Sequence, residues 1–280
     1  MRWIVWLGFG LLIGCGRGPL WTFDHDDDGD DLGASGPVDC DRADFVFVID
    51  DSPSMQEYQR ELVDNFPVFI DGVQRVVAHN TDLHVGVVTT DAYAGNPSPC
   101  DVLGGFVVAT AGAHSSDAQC GPYAEGHNWM TAADNLSESF ACAATVGTQG
   151  NHIERPADAL RAALDPDGEA AACNRGFLRE DALLVAVLLT DEPDQSEGSP
   201  VQWARDLIDL KGGNAGGVVA VSLLRKDEEC ADGLSNDCYP WALERFTGEF
   251  DHGFLGPITG DYGELFDRAV DVVATACAGD

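Results

Sequence analysis

Phe45-Val46-Phe47-Val48-Ile49-Asp50-Asp51-Ser52-Pro53-Ser54-Met55 is an unbroken apolar run that ends abruptly in a polar turn. Five aromatic and β-branched residues without alternation describe a strand covered on both faces, as in a parallel sheet. Three further runs have the same character: Leu83 to Thr89, Leu183 to Leu189 and Val218 to Leu224. Between them apolar residues recur at helical spacing. From Met55 to Ala78 the series is Leu62, Phe66, Phe69, Ile70, Val73 and Val76, with Pro67 as an expected kink. Shorter helical patterns cover Pro156 to Leu164, Val201 to Leu210, Trp241 to Phe246 and Tyr262 to Ala276. Strands alternating with helices predict an α/β fold, a doubly wound and mostly parallel open sheet with helices on both faces.

Ligands of such sheets bind outside the carboxyl ends of the strands. The first strand ends in Asp50, Ser52 and Ser54, spaced so that one turn aims a carboxylate and two hydroxyls at one point. The third buried strand ends in Thr190-Asp191-Glu192, which places Asp191 on the same rim. Hard oxygen donors of low total charge suit an octahedral divalent ion. Helix capping explains one such hydroxyl residue, but not three residues at alternate positions plus Asp191.

Asp50-x-Ser52-x-Ser54 after one apolar strand and Thr190-Asp191 after another resemble the metal-ion-dependent adhesion site of von Willebrand factor A domains. The resemblance covers about residues 40 to 277 and implies direct ligation by Ser52 and Ser54, with Asp50 and Asp191 acting through ordered waters. It implies a loop threonine as well, for which Thr148 in Val146-Gly147-Thr148-Gln149-Gly150 is the candidate and Thr145 the competitor. The expected ion is Mg²⁺, with Mn²⁺ or Ca²⁺ as alternatives. Its open coordination position would take an acidic side chain of a protein partner. The strand that carries the motif is expected at the sheet centre. The segment from Gly176-Phe177-Leu178-Arg179 to Asp194 also resembles secreted bacterial members that carry a lipid anchor. Asp51 reads as a solvated turn residue.

Binding is therefore expected, not turnover. An enzyme alternative is a Mg²⁺-dependent phosphatase resembling the haloacid dehalogenases, but the second carboxylate of that motif is replaced by Ser52. A third reading is a structural envelope protein that the metal merely stabilises. There is no His-Glu-x-x-His, Gly-x-Ser-x-Gly, Walker loop or Cys-x-x-Cys, and His114, His127 and His152 read as surface residues.

The N-terminus has its own logic. Arg2, an apolar run to Ile13, Gly14 and then Cys15 make a secretory signal whose end resembles the bacterial lipobox. The run is shorter than the ~20 residues a spanning helix needs, which argues against an uncleaved anchor. The expected organisation is a signal peptide at 1–14, then at 15–39 the lipidated Cys15 and an acidic flexible linker, then the domain at 40–280. Within the linker, Asp24, Asp26, Asp28 and Gly29 match half an EF-hand loop, but Ser35 stands where its glutamate belongs. Gly16 after the anchor lacks the aspartate of inner-membrane retention, so the expected location is the bacterial cell envelope, attached to the outer membrane. A net charge of −33, from 48 acidic and 15 basic residues, repels nucleic acid and favours cations.

An insert at about 91–147, rich in Gly, Ala, Ser and Asn, is too long for an idle loop. Its run Phe106-Val107-Val108 is a candidate antiparallel edge strand. Tyr93, Tyr123, Trp129 and Met130 are either exposed anchors for a partner or a small second core. Besides Cys15, eight cysteines suit disulfides in an oxidising compartment. In the fold that the resemblance implies, the chain ends meet, which pairs Cys40 with Cys277. Cys230 with Cys238 closes a local turn, Cys100 with Cys120 closes the first part of the insert, and Cys142 with Cys173 clamps the Thr148 segment.

Overall fold

A computed structural model of the chain describes residues 40–77, 82–225 and 240–278. The four apolar runs form β1 (Arg42–Ile49), β2 (Asp82–Thr89), β4 (Leu183–Thr190) and β5 (Val218–Leu224). Two short strands, β3 (Met130–Thr131) and β6 (His252–Pro257), complete a six-stranded sheet of order β3-β2-β1-β4-β5-β6. All pairings are parallel except β2 with β3, and β1 lies inside the sheet between β2 and β4.

The pleat divides the side chains between two cores, because successive residues of a strand point to opposite faces. Phe45, Phe47 and Ile49 pack with Val85, Val87 and Val187 under α1 (Gln56–Val76) and α6 (Tyr262–Ala278). Val46 and Val48 pack with Val88, Leu184 and Leu188 under α3 (Pro156–Leu164), α4 (Pro200–Leu210) and α5 (Trp241–Gly248). The expected doubly wound sheet is thus present. α1 contains Pro67 and remains one helix of 21 residues.

The insert differs from its reading. The antiparallel edge strand is Met130–Thr131, with Met130 opposite Val85, and not Phe106-Val107-Val108. The latter run is buried beside β2, where the Val107 N–H donates to Val87 O at 2.8 Å. Phe106 fits because β2 has Gly86 there: a Cβ would lie 2.4 Å from its ring. Tyr93, Tyr123, Trp129 and Met130 are all buried, so they present no exposed anchors. Nor do they form a separate core, since each joins one of the two cores of the sheet. The insert also contains a helix, α2 (Leu136–Ala144), whose Phe140 stacks on Phe66 of α1 at a centroid distance of 3.7 Å.

Three disulfides occur among the described residues, and two correct the expected pairing. Cys40 is bonded to Cys277, whereas Cys100 joins Cys173 and Cys120 joins Cys142. The pairs Cys100–Cys120 and Cys142–Cys173 are therefore not formed. The insert folds back instead of closing early: Asn96 ties the Phe106 carbonyl (3.0 Å) to the Val108 N–H (3.0 Å). Asn174 binds the Phe106 N–H (3.1 Å) and the Gly104 carbonyl (2.7 Å), which brings its neighbour Cys173 to the start of the insert. Cys15, Cys230, Cys238 and the residues of the expected signal and linker lie outside the described residues.

Candidate metal centre

The carboxyl ends of β1 and β4 stand side by side, and the Asp50 N–H donates to Leu189 O at 3.0 Å. This continues the ladder one residue beyond the strands and fixes where Asp50 leaves the sheet. Asp50 is fully buried. Its Oδ1 accepts the Ser52 N–H at 2.7 Å and its Oδ2 accepts the Thr190 hydroxyl at 2.6 Å. Ser52 is buried as well, and its Oγ lies 3.3 Å from Oγ of the exposed Ser54. Ser54 Oγ donates to Asp191 Oδ1 at 2.9 Å. Asp50, Ser52, Ser54 and Asp191 are thus one connected group at the rim.

Thr148 makes no hydrogen bond to this group, but the loop that carries it is tied to the end of β1. Gln59 of α1 is buried, and its Nε2 donates to Asp50 O (2.9 Å) and Gly147 O (2.8 Å). Its Oε1 accepts the Gly147 N–H at 3.2 Å. Gly147 has φ +93°, a left-handed conformation that glycine adopts freely. Gly150 in turn donates its N–H to Asp51 O at 2.9 Å, and a Cβ there would lie 2.4 Å from the Asp51 carboxyl carbon. The loop is therefore pressed against the end of β1. The Thr148 hydroxyl lies 2.8 Å from His114 Nδ1, while the Thr145 hydroxyl donates to Ala141 O of α2 at 2.7 Å.

Asp51 is not the solvated turn residue expected. It is 3% exposed, and its Oδ1 has no hydrogen-bond partner. Burial, then Asp91 and Asp50, push its carboxyl up to about 8. Glu154, fully buried, is held by the Thr90 hydroxyl through Oε2 and leaves Oε1 without a partner. Burial, and next the Asp50 charge, raise it to about 9. Burial is also the main reason Asp50 rises to about 6. Three buried carboxyl groups, Asp50, Asp51 and Glu154, therefore crowd behind the rim with their acid forms favoured, and a carboxyl in such a place ionises fully only when a cation compensates it.

Among the described residues no three His, Cys, Asp or Glu side chains form a metal cluster. The set is instead two carboxylates with hydroxyls, all oxygen, which fits hard divalent ions that retain waters. Sequence reasoning missed Gln59 and Glu154 because a lone polar residue in a helix or loop carries no spacing signal; His114 is exposed, as expected, yet its ring meets the Thr148 hydroxyl.

No family model matches the chain, and no curated protein sequence matches it. Solved structures do resemble it in fold. Proximal thread matrix protein 1 from the mussel byssus, with a zinc-occupied MIDAS motif, is 14% identical with a TM-score of 0.46, over 86% of this chain and 49% of that one. A von Willebrand factor type A structure from Catenulispora acidiphila is 18% identical, TM-score 0.40, over 87% and 43%. The pilus adhesin SpaC from Lactobacillus rhamnosus GG, in an open conformation, is 13% identical, TM-score 0.41, over 86% and 30%. The chain thus spans about half or less of the length of the structures it matches. Nothing about ligands follows from likeness at this level.

Proposed function

We propose that the protein binds a partner through a divalent cation held by Asp50, Ser52, Ser54, Thr148 and Asp191. The observation that carries the reading is the Ser54 hydroxyl, which lies against Ser52 Oγ and donates to Asp191 across two strand ends. Ser52 and Ser54 supply neutral donors, while Asp50 and Asp191 supply charge and orient waters. A cation so held offers a Lewis-acidic position for an acidic side chain of a protein partner. The remaining work belongs to the chain. Thr190 holds one Asp50 oxygen and the Ser52 N–H the other, so the carboxylate cannot rotate away. Gln59 keeps the Thr148 loop in register with Asp50. Mg²⁺ is the ion proposed, and binding without turnover is the activity.

We place the protein outside the cytoplasm, anchored to the outer membrane of a bacterial envelope by lipid on Cys15, with the acidic linker as spacer. Three disulfides support the compartment. No helix among the described residues is long and apolar enough to cross a membrane. Calorimetry with Mg²⁺ or Mn²⁺ tests the site: one ion should bind, and Asp50→Ala should abolish it. Equal binding by both proteins would defeat the reading. A pull-down from envelope extract, with and without EDTA, tests the partner: a protein released by EDTA is expected.

A further inference from the structure

Asp191 has a second partner that belongs to no metal motif. Its Oδ1 takes the Ser54 hydroxyl at 2.9 Å, and its Oδ2 forms a salt bridge with Arg225 Nη2. The pairing follows from register. Thr190 lies opposite Leu224 in neighbouring parallel strands, so Asp191 and Arg225, each one residue further, leave the sheet side by side. The Asp191 side chain is 2% exposed and that of Arg225 29%. Among the described residues, no other ion pair reaches Asp50 or Asp191.

We infer that Arg225 is a tethered cation that competes with the metal ion for Asp191 and so sets the concentration at which the site loads. The inference rests on the metal-binding reading above. A buried carboxylate needs a positive neighbour, and the guanidinium provides one without leaving the chain. A divalent cation served by Asp191 brings a second positive charge to the same buried group, where screening is weak. Loading therefore displaces the guanidinium or proceeds against it. Its partial exposure gives the side chain a way out to solvent. Arginine suits this role because it stays charged at every physiological pH, so acid or base does not remove the competitor. Lysine, a compact and strongly hydrated charge without the planar fork, would hold Asp191 less firmly.

The alternative is that Arg225 merely orients Asp191 for the metal, and the two roles have opposite signs. Titrating MnCl₂ into wild type, Arg225→Gln, Arg225→Lys and Asp50→Ala in a calorimeter separates them. Competition predicts about tenfold tighter Mn²⁺ binding for Arg225→Gln, the scale of one lost charge-assisted bond, and about threefold for Arg225→Lys. Thermal melts give a second readout. In EDTA, Arg225→Gln should melt below wild type, because Asp191 is then unpaired, and saturating Mn²⁺ should close most of that gap. Binding by Arg225→Gln where wild type is silent also supports competition. Unchanged or weaker affinity in a folded Arg225→Gln overturns it, while loss of binding in Asp50→Ala leaves the metal site itself standing. If no variant binds Mn²⁺, the metal reading fails and this inference with it. Should Arg225→Gln not fold without metal, Arg225→Lys decides, and no gain in affinity there refutes the competition.

Discussion

Gln59→Met tests how the Thr148 loop is held to the sheet. Methionine keeps the length and most of the volume of glutamine, so the cavity contribution is small. What disappears is polar: the bonds to Asp50 O (2.9 Å), Gly147 O (2.8 Å) and Gly147 N (3.2 Å). Each exchanges a protein partner for water on unfolding and contributes about 1 kcal/mol net, so together they contribute about 3 kcal/mol. The backbone groups left behind are buried, so relaxation recovers little. With a urea m-value of roughly 2–3 kcal/mol/M, the unfolding midpoint should fall by about 1–1.5 M at unchanged slope. Gln59→Glu should lose more than Gln59→Met, because a carboxylate would face two carbonyl oxygens. Mn²⁺ affinity should fall in both, since Gly147 adjoins Thr148. A midpoint shift below about 0.3 M, or a milder effect for Glu than for Met, would refute this account of the loop.

Gly86→Ala should lower stability by about 1–3 kcal/mol in urea unfolding, because its Cβ would lie 2.4 Å from the Phe106 ring; Phe106→Leu should restore part of the loss. Replacing Cys120 and Cys142 together by Ser opens a loop of separation 22 and should cost about 3 kcal/mol. A loss no larger than that of a surface substitution would show that the hydrogen bonds of the insert suffice. His84 is buried against Trp129 and lowered by burial from 6.5 to about 4. Between pH 6.5 and 4 the unfolded chain takes up a proton that the folded chain refuses, so stability is lost on acidification through that window. Melting temperatures in EDTA should therefore fall more steeply with acid for wild type than for His84→Gln. Parallel curves would contradict the neutral, buried imidazole.

The sheet was legible because burial on both faces leaves a plain mark. Leu183 to Leu189 and Val218 to Leu224 are nearly pure apolar runs, and a strand inside a parallel sheet tolerates little else. His252–Pro257 left no such mark: it is an edge strand with two glycines and a proline, buried only at alternate residues. Met130–Thr131 is too short to show a period at all. That Asp50, Ser52, Ser54 and Asp191 meet at one rim was readable because each follows the end of an apolar strand. The burial of Asp51 was not, since it depends on Gly150 arriving from a hundred residues away. The pairing of the insert cysteines failed for a related reason. Sequence proximity favours short loops, but in the folded chain Asn96 holds the insert folded back on itself and Asn174 ties it to α3, which sets Cys173 beside Cys100.

The Cys40–Cys277 bond has a mechanical consequence. Cys40 lies just before β1, and Asp50 just after it, so a pull between the upstream chain and the rim runs along the central strand. β1 is flanked by parallel partners on both sides, and its hydrogen bonds to β2 and β4 are then strained together in shear instead of being peeled one by one. The covalent link passes part of the force to the end of α6, on the opposite face of the sheet from α3 to α5. Tension thus enters the fold at a point where no single element can be drawn out without its neighbours.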